Sequence, residues 1–196
     1  MGKGEETREL ILDRAVSVAS RDGLAGLTVG TLATELGLSK SGLFAHFGSK
    51  DALQLQVLQA ATRRFEATVL RPALKAPRGE PRLRALFDRW LAWSNAPEMP
   101  GGCIFVAAAV ELDDQPGPTR DYLVASQRQW FVSLAKAARL AIDAGHFRRG
   151  VDEEQFAYEF YSIVLGYHHV KRLLHDPRAE ERVRAAFEHL LQQARP

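Results

Sequence analysis

The sequence predicts an all-α fold in which three short N-terminal helices lead into a longer helical region. Apolar residues recur at helical spacing along most of the 196-residue chain. Beyond Pro81 no strand-like alternation of apolar and polar residues competes with that period. Proline and glycine cluster at residues 72–81, 97–102 and 115–118, cutting the chain into helix-length pieces. A hydrophobic share of 46% is ample for a core, in one large domain or two small ones.

Residues 5–21 read as the first helix, with Ile11, Ala15, Val18 and Ala19 on one face and Asp22 and Gly23 ending it. Thr28 caps a second helix, whose Val29, Leu32, Ala33 and Leu36 fall at i, i+3, i+4 and i+7 and form one buried stripe. Gly37 stops that helix, Leu38 supplies an inward anchor, and Ser39 caps a third helix. There Leu43 and Phe47 share the inward face, leaving Lys40, Ser41, Gly42, Phe44 and His46 to the outer surface and ends. A longer fourth helix, residues 51–70, begins beyond Lys50 with Leu58, Ala61, Phe65 and Val69 along one side.

The third helix meets the requirements of a major-groove reader. It is entered through a tight turn, its start is small enough for close approach at Ser41 and Gly42, and Lys40 puts a cation in its first turn. Lys50 and the amides of the helix it opens suit a phosphate. Taken together, Thr28, Leu32, Ala33, Leu36, Gly37, Ser39, Leu43, Phe44, His46, Phe47, Lys50 and Leu53 resemble the DNA-binding domain of the TetR family of bacterial repressors.

That resemblance implies a three-helix helix-turn-helix DNA-binding domain over residues 1–50. A helical effector-binding and dimerisation domain follows over residues 51–196. It further implies that Thr28, Ser39, His46 and Lys50 hold phosphates while Lys40, Ser41 and Gly42 face bases, and that Lys3 and Arg8 belong to an arm over the DNA backbone. Lys40 is the first choice for guanine. Two positions depart from the family pattern: Gly30 replaces a polar contact of the second helix, and Phe44 replaces a tyrosine, leaving it a thymine methyl to touch. The partners expected are double-stranded operator DNA, a second copy of the chain and an unidentified small-molecule effector, with repression as the output.

Five further helices are expected at residues 82–96, 102–113, 118–144, 152–175 and 177–194. Their apolar residues, many aromatic, occupy more than one face, so they are buried on more than one side. A ligand cavity, a second copy of the chain and a filled monomer core all account for that excess. For a cavity the candidates are Trp90, Trp93, Phe105, Trp130, Leu134, Phe160 and Tyr161, with His168 as a polar anchor. By the resemblance the last two helices pair with those of a second subunit, and Val183, Phe187, Leu190 and Leu191 are assigned to the seam.

The remaining chemistry is sparse. The formal net charge is +2, so attraction to nucleic acid must come from a few cations on one face. Cys103, the single cysteine, is read as a small buried hydrophobe rather than a thiol sensor. His168 and His169 point apart on a helix, and no metal or cofactor site is expected. The motifs of nucleophilic, nucleotide and zinc enzymes are missing, so no enzyme is expected. With no signal sequence or membrane span expected, a cytoplasmic location follows. A helical protein-interaction module, anchored through Phe44 and His46, is the alternative from another class.

Overall fold

All regular structure among the described residues is helical, as the apolar periodicity requires. The computed structural model describes residues 3–196, apart from the side chains of Lys3 and Phe44. The chain divides into two compact units, Met1–Phe65 with Asn95–Ala125, and Glu66–Ser94 with Ser126–Pro196.

The first unit opens with α1 (Lys3–Gly26), followed by α2 (Val29–Leu36), α3 (Lys40–Phe47) and α4 (Lys50–Phe65). The predicted stripe of α1 is buried at Ile11, Ala15, Val18 and Ala19. The helix outlasts its expected end. Gly23 breaks it at φ 77°, yet residues 24–26 continue beyond the break. They are held there because the Glu111 carboxylate accepts the amides of Leu24 and Ala25 at 3.0 and 2.7 Å, while Gln54 donates to the Leu24 carbonyl. Glu111 belongs to α7 (Ile104–Leu112), which packs on α1 and brings Phe105 edge-on to Phe65.

The second unit starts where α4 widens into a π-helical turn at Glu66–Leu70 and runs on as α5 (Arg71–Leu74). The expected stop at Pro72 does not occur. Pro72 lies in the first turn of α5, where a missing N–H breaks no helical hydrogen bond. Then come α6 (Glu80–Ser94), the later part of α8 (Pro118–Asp143), α9 (Glu153–Arg172) and α10 (Ala179–Ala194). Asp152 caps α9 by accepting the amides of Glu154 and Gln155.

An aromatic cluster fills the middle of this unit. Phe87 of α6 stacks on Phe187 of α10 at 4.0 Å between centroids, and both meet Phe160 of α9 edge-on. Val183, Phe187, Leu190 and Leu191, the residues assigned to the seam, are 4, 3, 6 and 0% exposed within the single chain, packed in or beside this cluster. The outward stripe of α9 is different: Tyr158, Ser162, Gly166, His169 and Leu173 all lie exposed.

Candidate nucleic-acid interface

The turn between α2 and α3 is fixed at both ends by short-range hydrogen bonds. Thr28 caps α2 through its hydroxyl, which accepts the Thr31 amide at 3.0 Å, while the Thr31 hydroxyl accepts the Thr28 amide in return. At the other end Gly37 takes the left-handed conformation, φ 64° and ψ 27°, which lets the Leu38 amide reach the Ala33 carbonyl. Leu38 is not the inward anchor expected. The reversal leaves its side chain 41% exposed, and Leu32, Leu43 and Phe47 do the packing.

Ser39 caps α3, its hydroxyl accepting the Gly42 amide at 3.1 Å. With Leu43 and Phe47 turned inward, Lys40, Ser41 and Gly42 are exposed together on the first turn, and His46 is half-buried at the far end. Phe44, read as a contact, has its side chain outside the described set. The unit braces α3 from behind. The Arg8 guanidinium lies over the Phe47 ring and donates to Gln56, so this residue of the expected arm is a helical residue engaged within the unit. The Lys3 side chain lies outside the described set.

Charge pairs hold α2 against α1. Glu35 accepts from Arg14 and Arg21, and Arg21 also pairs with Asp22. Hydrogen bonds from Arg21, then Arg14, hold the Glu35 carboxyl below its ordinary range, and Asp22 and Glu35 raise the Arg21 guanidinium. These two arginines are neutralised. Among the described residues, Lys40 and Lys50 are motif cations with no carboxylate partner.

Lys50 is exposed and donates to the Ala25 carbonyl at 3.1 Å. Lys40 makes no ion pair or hydrogen bond among the described residues and lies over α2, where a Cβ built on Gly30 would sit 3.7 Å from its Nζ. Thr28 Oγ1 and the Lys40 ammonium thus both lie within 4 Å of the point a Cβ on Gly30 would occupy, and Lys50 at the start of α4 reaches back to Ala25.

Sequence reasoning missed the contacts that pin α7 and its leading loop to α1. Ser20, buried at 4% exposure, donates to the Gly102 carbonyl at 2.8 Å and accepts the Gly101 amide at 3.1 Å. A Cβ on Gly101 would overlap the Ser20 carbonyl. The one available signal is the pair of glycines at 101 and 102, which marks a close backbone approach without naming its partner. Cys103 follows, buried at 2% exposure, as the small-hydrophobe reading expects.

The cavity candidates are scattered. Trp90, Trp93, Trp130, Leu134 and Phe160 are buried in the second unit, with Trp130 edge-on to Phe160 and Trp90 edge-on to Tyr167. Tyr161 packs on Phe131, and Phe105 lies in the first unit. Burial, with Arg172 and His169 nearby, lowers the His168 pKa, so its ring is neutral near pH 7 and offers a polar atom rather than a charge. Its Nδ1 is buried with no hydrogen-bond partner among the described residues. A different set of residues, from Leu70 to Leu140, lines a cavity of about 490 Å³ in the same unit.

Comparison with known proteins places this geometry. Residues 11–57 match the family described as "Bacterial regulatory proteins, tetR family", and residues 79–187 match "Tetracyclin repressor-like, C-terminal domain". No curated protein matches the sequence. Among solved structures, a TetR transcriptional regulator from Chloroflexus aurantiacus is 24% identical with a TM-score of 0.86, over 98% of this chain and 96% of that one. AibR, solved with isovaleryl coenzyme A and operator DNA, is 23% identical with a TM-score of 0.68, over 82% and 85%. A putative regulator from Saccharomonospora viridis, solved with choline, is 20% identical with a TM-score of 0.77, over 95% and 94%.

Proposed function

Because the chain belongs to the tetR family of bacterial regulatory proteins, a family of transcription factors and not enzymes, we propose that it is a ligand-responsive repressor. It binds a palindromic operator as a homodimer in the cytoplasm and is released by a small apolar or amphipathic effector. Residues 1–50 read DNA, and residues 51–196 bind the effector and form the dimer. One observation carries the DNA-reading role: Lys40, Ser41 and Gly42 are exposed together on the first turn of a helix otherwise anchored by Leu43 and Phe47.

In this reading Thr28, Ser39, His46 and Lys50 position the backbone, and Lys40, Ser41 and Gly42 approach base edges. Lys40 donates to guanine O6 and N7 from the edge it shares with Gly30. Phe44 meets a thymine methyl. Two copies are needed because one short helix contacts too few bases to select a site. Two-fold symmetry sets the half-sites about 34 Å apart.

Two structural relatives were solved with small molecules, isovaleryl coenzyme A and choline, and this supports an effector here without naming it. The effector must bind the DNA-incompetent state more tightly than the competent one, since equal affinity shifts nothing.

The test is selection from a pool of random duplex DNA by the purified full-length protein near physiological salt. Enrichment of an inverted repeat is expected, lost in Lys40→Ala. Folded, dimeric protein that retains no sequence above background contradicts the reading.

A further inference from the structure

The 490 Å³ cavity of the second unit falls within the roughly 300–1,000 Å³ of small-molecule sites. Its walls are mainly aliphatic, with Leu86 at the base, Leu74 and Val132 at the mouth, the latter two 55 and 58% exposed, and Gln129 and Ser133 as neutral polar groups. Three cations, Arg78, Arg82 and Lys136, share the lining, and no carboxylate does. Arg82 is fixed in place by donating to the carbonyls of Leu74 and Ala76. Arg78 and Lys136 are exposed and make no ion pair or hydrogen bond among the described residues, whereas several arginines elsewhere in this unit are paired with carboxylates.

Apolar walls with an exposed mouth and cations of one sign complement an amphipathic anion. We propose that the cavity binds a free amphipathic anion, an aliphatic carboxylate whose chain lies along Leu74, Leu86 and Val132 and whose head group is held by Arg78 and Lys136. The aliphatic chain covers the exposed leucine and valine, and the carboxylate meets two cations that have no partner among the described residues. Arg82, committed to backbone carbonyls, orients the wall rather than the head group. The inference deepens the proposed function by naming the effector class, and it rests on that reading for its regulatory meaning.

The probe is decanoate, titrated calorimetrically into the DNA-free full-length protein and compared with decanol, which keeps the chain and loses the charge. Decanoate should bind saturably at one per chain, with decanol about tenfold weaker or more, as expected when charge-assisted hydrogen bonds are lost. Arg78→Ala with Lys136→Ala should weaken decanoate by a similar factor and leave decanol unchanged. Val132→Asp, at an exposed position, should abolish decanoate binding while circular dichroism and melting temperature stay as in the parent.

Absence of saturable decanoate binding overturns the proposal. So does equal affinity for decanol, binding indifferent to Val132→Asp, or a change in sedimentation with Val132→Asp, which would make the cavity mouth a surface for a second copy. Capture of the protein by anionic vesicles, abolished by Val132→Asp and unaffected by competing decanoate, would assign the mouth to a membrane and also overturn it. The readout uses no DNA. Protein that binds decanoate yet selects no operator overturns the regulator reading alone, and protein that selects an operator yet ignores decanoate overturns the cavity proposal alone.

Discussion

Gly101 has no room for a side chain, because a Cβ there would run into the Ser20 backbone carbonyl. The obstacle is backbone, which cannot rotate away as a side-chain tip can, so Gly101→Ala must separate the α7 loop from α1 or strain both. The expected cost is about 1–3 kcal/mol, the usual range for overpacking, measured by urea denaturation. An unchanged midpoint would mean that the loop is not held as closely as described. At the DNA edge the two lysines should separate by phenotype. Lys50→Ala should weaken binding to all sequences alike and reduce the salt slope by about 1, whereas Lys40→Ala should relax preference at one base pair in each half-site. Binding isotherms against the selected operator and a scrambled duplex, at several salt concentrations, distinguish these outcomes.

Between elements, Glu80 at the start of α6 accepts hydrogen bonds from Arg195, beyond the end of α10, and from Arg84, which also reaches Glu188. The Arg195 guanidinium above all, with Arg84 adding to it, holds the Glu80 carboxyl down to about 2 from an ordinary 4.5. A lowered carboxyl stabilises the fold fully above pH 4.5 and loses that contribution as pH falls through about 2. Since Arg195 is 38% exposed, screening leaves about 1–2 kcal/mol of this at pH 7. Glu80→Gln should therefore be less stable than the parent by that amount at pH 7. The gap should narrow between pH 4.5 and 2, and a gap constant with pH would rule out the carboxylate as its source. Elements differ in how far the sequence specifies them. The α2–α3 turn is legible because Thr28, Gly37 and Ser39 each act within four residues of themselves. The stripe of α10 is legible as buried but not as to its partner, since Phe87 and Phe160, which fill it, come from distant parts of the chain. Pro72 reads as a stop because nothing local announces the π turn that accommodates it, and the cavity mouth is illegible because its lining comes from widely separated segments.

For the whole molecule, the formal charge of +2 leaves little general attraction to DNA, so the proposed dimer must draw its affinity from two motif copies acting together. With the apolar stripe of α10 spent inside the subunit, the exposed stripe of α9 is the proposed contact, with Tyr158 and Leu173 at 60 and 66% exposure on either side of Ser162 and Gly166. Small residues on an exposed helix stripe let a second helix approach closely, and their flanking apolar neighbours then become buried. Gly166→Arg tests this directly. A Cβ at Gly166 meets nothing within 4 Å, so the substitution does not disturb the subunit. Replacing a mid-helix glycine also favours the helix by somewhat under about 1 kcal/mol. The variant should keep its helical circular dichroism, sediment as a monomer where the parent is a dimer, and lose operator affinity at concentrations that saturate the parent. A Gly166→Arg protein that remains dimeric would place the two-fold contact on another face. One that becomes monomeric yet binds the operator undiminished would show that a single α3 suffices for recognition.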